Sequence, residues 1–135
     1  MNTPRTATLL VVIAHWIFAI GHLFVAAQVL PPPNNHVSWL AIALISAGHW
    51  VVSVALWTLS DRLSGPLTLI FFFAALGADL YEHFLHASLN NVFMVAPGSW
   101  TSQFDSSVLV LLALEIMGCS LGIRSIGGWR RQMAA

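Results

Sequence analysis

Four apolar runs, each about twenty residues long and separated by short polar breaks, restrict this chain more than any other feature. They fall at about 9–30, 37–59, 67–89 and 106–123. A helix rises about 1.5 Å per residue, so runs of this length match the roughly 30 Å of hydrocarbon in a bilayer. Composition points the same way: 58% of residues are hydrophobic and only 7% charged, where a soluble domain carries about 25% charged residues. At 135 residues a soluble fold has too little interior to hide that apolar surface. The expected architecture is all-α: an antiparallel four-helix transmembrane bundle forming one integral membrane domain over 1–135.

The breaks have their own chemistry. Pro31-Pro32-Pro33-Asn34-Asn35 ends the first run by removing donors and forbidding helical geometry. Ser60-Asp61-Arg62-Leu63-Ser64-Gly65-Pro66 reads as a polar turn, and residues 90–105 as a longer loop with an interfacial turn or short helix at 91–95. The first run exceeds the apolar region of a cleaved signal (about 7–15 residues) and carries His15 and His22, so it reads as a retained helix. Arg5, Arg62, Arg124, Arg130 and Arg131 all fall on one side of the expected membrane, and the opposite loops hold no basic residue. That asymmetry predicts cytoplasmic termini in a multi-pass protein of a bacterial inner membrane. Trp39, Trp57, Trp100 and Trp129 near the span ends suit an aromatic belt.

Five arginines, no lysine and a formal charge of zero leave no basic face for nucleic acid. Cys119 is the only cysteine, which excludes an internal disulfide and a paired-cysteine metal or redox motif. The expected partner is the lipid bilayer. Gly118-x-x-x-Gly122 has the spacing that lets helices approach closely, within the bundle or in a homo-oligomer or larger membrane complex.

Ionisable residues inside the spans are the informative exceptions, because at bilayer depth each costs several kcal/mol unless paired, neutral or facing a cavity. In the third span Asp79, Glu82, His83 and His86 stand at i, i+3, i+4 and i+7 and share one broad helical face. His15 and His22 share a face of the first span, His49 lies mid-way along the second, and Glu115 mid-way along the fourth. Taking span midpoints as the bilayer centre puts Asp79, His49 and Glu115 within about one residue of it. His22 and His83 come next, roughly 6–8 Å toward the outer side, and His86 lies beyond them. His15, slightly inward of centre, and His36, in the first loop, stand outside the candidate set.

That column has three chemical readings beside a structural one. His22 and His83, at similar depth on different helices, are the first candidates to ligate haem b iron. Alternatively His22, His83, His86 and Glu82 hold a transition metal, since imidazole and carboxylate suit iron, copper and zinc. Asp79, His49 and Glu115 then support or balance that site. Haem is favoured over a bare ion because the bundle offers apolar volume, and both readings make the protein redox-linked. The spacing matches neither His-Glu-x-x-His nor the Glu-x-x-His pairs of di-iron bundles. Asp79 and Glu115 also suit the coupling acids of a small proton-coupled transporter. Under the structural reading the same residues bind helices together in an accessory subunit, each for about 1 kcal/mol or less.

Overall fold

The computed structural model describes residues 3–32 and 35–133. Pro33 and Asn34, part of the expected proline break, lie outside the described residues, as do the side chains of Arg130 and Arg131. Four α-helices account for the fold: α1 (Thr3–Val29), α2 (Trp39–Thr58), α3 (Asp61–Leu80) and α4 (Thr101–Met133). A π-helical turn, Tyr81–Leu85, continues α3, and the described residues contain no strand. All four helices are long and apolar enough to cross a membrane.

Neighbouring helices in sequence are neighbours in space, and α1 closes the ring against α4. The α3–α4 seam is the most extensive, and its sequence explains why. Lipid supplies no hydrophobic drive to bring apolar helices together, so close approach depends on small residues at the interface. A Cβ on Gly118 would overlap the Phe72 ring, and one on Gly122 would lie 2.9 Å from Leu69 N. Gly65 meets Ser125 in the same way. The small-residue stripe of α4 therefore serves this intrachain seam.

Seven-residue repetition decides which faces turn inward. On α1 the buried residues include Thr8, Val12, His15, Ala19, His22 and Ala26, while Leu10, Ile17 and Phe24 lie half exposed or more. On α4 they are Phe104, Val108, Leu111, Glu115, Gly118 and Gly122. Among the described residues nine polar side chains are buried beside twelve apolar ones, while Trp39, Trp50 and Trp57 are largely exposed. Such an inversion of the soluble pattern makes the outer surface the lipid-facing one. Toward the arginine-bearing end Val12, Val52, Leu56 and Phe72 close into a dry layer. There Arg5 donates to Leu56 O at 3.3 Å and Leu59 O at 2.7 Å, placing a cation on the negative end of α2.

Helix ends differ from the sequence expectation in three helices, and the first of them, α1, starts at Thr3 instead of about residue 9. The third helix begins at Asp61, since Ser60 O accepts from Leu63 and Ser64 N–H (3.0 and 2.9 Å) and Pro66, near the start, removes only an early donor. It ends at Leu85 instead of near Leu89, because Ser88, Asn90 and Asn91 offer side-chain bonds that compete with the helical ones. Asn91 Nδ2 donates to His86 O at 2.9 Å, and Val92 N–H returns to His83 O at 2.9 Å. Residues 91–95 form a turn, with Val92 and Val95 packed against Phe104 and Val108. The fourth helix runs from Thr101 to Met133, 33 residues or about 50 Å, and so extends beyond a hydrocarbon core.

Candidate functional site: two histidine pairs around one cavity

A cavity of about 360 Å³ lies inside the bundle on the side of the dry layer away from the arginines. Its polar lining includes His15, His22, His49, Asp79, His83 and Glu115, contributed by all four helices. These side chains form two groups.

The first group is a hydrogen-bonded chain. His49 Nδ1 bonds to Ile45 O (2.6 Å), His49 Nε2 to His15 Nδ1 (2.7 Å), and His15 Nε2 to Glu115 Oε1 (3.2 Å). The rings of His15 and His49 stack with centroids 5.0 Å apart and planes 24° from parallel. A backbone carbonyl can only accept, so His49 Nδ1 carries a proton. With His49 neutral, its Nε2 accepts, so His15 Nδ1 also carries one. A single proton is then left between His15 Nε2 and Glu115 Oε1. Moving that proton to His15, and passing another from His15 Nδ1 to His49 Nε2, keeps every bond satisfied at the same proton count. That shift leaves Glu115 a carboxylate and His49 an imidazolium, so the chain can separate charge between α4 and α2 without breaking a contact.

Glu115 is fully buried, and its Oε2 has no hydrogen-bond partner. Asp79 lies within reach of Glu115 and within electrostatic range of both His15 and His83. Two carboxylates offer only acceptors, so a proton held on either would remove the orphaned oxygen. Asp79 thus stands between the first group and the second.

The second group is His22 with His83. Their rings meet edge to face, with centroids 4.9 Å apart and an 83° interplanar angle, and Phe104 packs against both. Ser107 Oγ donates to Phe104 O at 2.7 Å, so it accepts from His22 Nδ1 at 2.8 Å. His83 Nδ1 donates to Asn90 O at 2.8 Å. Both rings are therefore held by Nδ1–H. In its neutral form each has an Nε2 lone pair with no hydrogen bond to the described residues, and both residues line the cavity.

Glu82 and His86 form a third contact at the rim. Glu82 Oε2 accepts from His86 Nδ1 at 3.1 Å, and Oε1 accepts from Ser88 Oγ at 2.8 Å and Asn90 Nδ2 at 3.3 Å. The His86 ring is exposed and stacks on Tyr81, centroids 5.3 Å apart. His86 N–H bonds to Tyr81 O, five residues back, at 2.6 Å. This wider turn divides the expected single face, leaving Asp79 and His83 at the buried site and carrying His86 to the rim. π-Turns of this kind are frequent at functional sites.

The candidates from sequence thus occupy one cavity and its rim, but they do not converge on a point. Among the described residues no three His, Cys, Asp or Glu side chains are arranged to hold a metal ion. His15, outside the candidate set, is the centre of the first group. Its sequence signal was the seven-residue spacing to His22, which puts both on one inward face. Ser107 and the Asn90 carbonyl carry no sequence signal of their own. Comparison with protein-family models, curated proteins and solved structures finds no match.

Proposed function

We propose that this protein is a small proton-coupled membrane carrier, working from an intramembrane cavity of which Glu115 and the two imidazoles behind it form the proton-holding part. The supporting observation is the polarity of the hydrogen-bond chain. Its direction is set by Ile45 O at one end, and one relocatable proton is left at the other, beside the cavity. Asp79 stands as the second coupling acid. The dry layer of Val12, Val52, Leu56 and Phe72 separates the cavity from the arginine-bearing end, as a carrier open to one side requires. Under the charge rule that end is cytoplasmic, and a bacterial inner membrane is the location proposed with this reading.

The test needs no knowledge of the solute. A pH jump applied to proteoliposomes on a solid-supported electrode gives a transient current as a proton enters the Glu115–His15 position. Glu115→Gln keeps a group able to hydrogen-bond His15 but cannot exchange its proton, so it removes the current. Equal currents from the parent protein, the variant and protein-free liposomes would end this reading.

A second reading makes the protein redox-linked, with His22 and His83 as ligands to a transition metal or haem b iron. Its support is the tie of each Nδ1–H to an oxygen, the arrangement that orients metal-bound imidazoles. It ranks second because the two rings touch edge to face, so a haem between them requires the rings to part. An absorption spectrum and metal analysis of purified protein, repeated on His22→Ala and His83→Ala, decide it. A Soret band or stoichiometric metal lost in both variants supports the reading, and colourless metal-free protein removes it.

A further inference from the structure

The wall of the cavity formed by α2 is unlike the others. Every buried residue of α2 (His49, Val52, Ala55 and Leu56) lies in the half nearer the arginines. From Trp39 to Gly48 none is buried, yet Leu44, Ile45 and Gly48 from that stretch line the cavity. Leu44 is 65% exposed. Two aliphatic side chains, Leu44 and Ile45, and Gly48 therefore stand between the cavity and the surface that faces acyl chains, and Leu44 reaches that surface. By surface area the cavity lining is mostly apolar, with Ala19, Leu23, Ala26 and Ala75 among its residues. The volume of about 360 Å³ is in the range of small-molecule sites, about 300–1,000 Å³.

We propose that the cavity binds a lipid-soluble hydroxyl compound of the phenol or quinol class, which arrives sideways from the bilayer past α2. Its hydroxyl donates its one proton to the Nε2 lone pair of one of the two rings, His22 or His83. The chemistry follows from the anchoring of those rings. Ser107 Oγ and Asn90 O hold the Nδ1 protons, so a neutral ring at either position offers the cavity an acceptor and no donor. A ligand that brings only acceptors, such as an ether or an ester, leaves both lone pairs unmatched in a low-dielectric site. The apolar lining excludes a multiply hydrated solute, and the Phe71 and imidazole faces suit a ring. The inference names the solute class of the proposed carrier and stands on the cavity, independently of the proton chain.

A matched pair of probes tests it: para-octylphenol and its methyl ether, para-octylanisole. They share shape and lipid solubility and differ in the single O–H. Binding to the full chain in nanodiscs is measured at equilibrium with no pH gradient, while nitrogen-15 spectra follow the imidazoles. The phenol should bind at least about tenfold more tightly than the ether, the ratio expected for one buried hydrogen bond of about 1.4 kcal/mol. It should shift the Nε2 resonance of the ring that accepts its proton, His22 or His83, leaving the bonded nitrogens of His49 in place. The tenfold preference should shrink toward unity in whichever of His22→Phe and His83→Phe removes that acceptor, and in the double variant. Equal affinity for phenol and ether, or no saturable binding of either, overturns the proposal. Because that comparison is made on the unaltered protein, it decides the matter even where a variant fails to fold. The measurement moves no charge across the membrane, so a phenol preference without a pH-jump current sinks the carrier and leaves this site standing. A pH-jump current without the preference does the reverse.

Discussion

The two histidine pairs have nearly equal ring separations, 5.0 Å for His15–His49 and 4.9 Å for His22–His83, and opposite chemistry. In the first pair all four ring nitrogens are bonded: to each other, to Ile45 O and to Glu115. In the second only Nδ1 of each ring is bonded, to Ser107 Oγ and to Asn90 O. Depth does not explain the difference, since all four residues are buried. What separates them is whether a partner stands opposite Nε2. His15 and His49 face each other and Glu115, whereas His22 and His83 meet edge to face beside open volume. A histidine inside a membrane therefore announces a function less by its burial than by which nitrogen its neighbours leave unused.

His15→Phe should break this contrast most severely. It keeps the ring volume but strands His49 Nε2 and Glu115 Oε1 in the interior together. Hydrogen bonds between membrane helices are worth about 0.6 kcal/mol on average and about 1.7 at most. Two strong ones lost together therefore predict destabilisation of about 2 kcal/mol. The unfolding midpoint in mixed micelles reads this directly. A midpoint equal to that of the parent protein would mean the chain contributes nothing to the fold, and the contrast between the pairs would lose its energetic basis.

The corresponding change in the second pair, His22→Phe, should cost under about 1 kcal/mol. Only one bond disappears, and Ser107 Oγ keeps its own acceptor, Phe104 O. The new ring takes up a position already beside Phe104, whose centroid is 5.3 Å from that of His22. Any effect of this substitution should register in ligand affinity, not in stability. If His22→Phe costs as much as His15→Phe, then Nε2 of His22 has a partner in the folded protein, and the lone pair offered to a ligand is already spent.

The sequence made the bundle legible because lipid imposes a simple rule: a span needs about twenty apolar residues, and each ionisable residue within it must turn inward. Four runs, one stripe of small residues and a seven-residue spacing were enough to give the helices and most of their inward faces. The pairing of side chains was harder to read. His22 and His83 could be matched by depth, and they do meet. His15 and His49 could not, because their contact depends on how α1 and α2 cross and rotate, which pattern alone leaves open. The π-turn was invisible for a related reason. Asp79, Glu82, His83 and His86 share a face only at 3.6 residues per turn, and the local widening is driven by bonds from Ser88, Asn90 and Asn91 beyond the helix end.

The rim contact supplies the weakest and sharpest control on the comparison. His86 is exposed, and its partner Glu82 keeps two other donors, Ser88 Oγ and Asn90 Nδ2, on the opposite carboxylate oxygen. His86→Ala should therefore change stability by no more than about 0.5 kcal/mol, as for other exposed pairs, and leave the phenol preference as it was. The same substitution separates the two ways of grouping the third helix. If His86 belonged to one continuous face with Asp79 and His83, its loss would weaken ligand binding in step with His83→Phe. If the π-turn has moved it out to the rim, only the mobility of residues 86–90 should respond, read as faster amide exchange at Ser88 and Asn90. Weakened phenol binding in His86→Ala would put the side chain back into the cavity and dissolve the division between a buried pair and an exposed one.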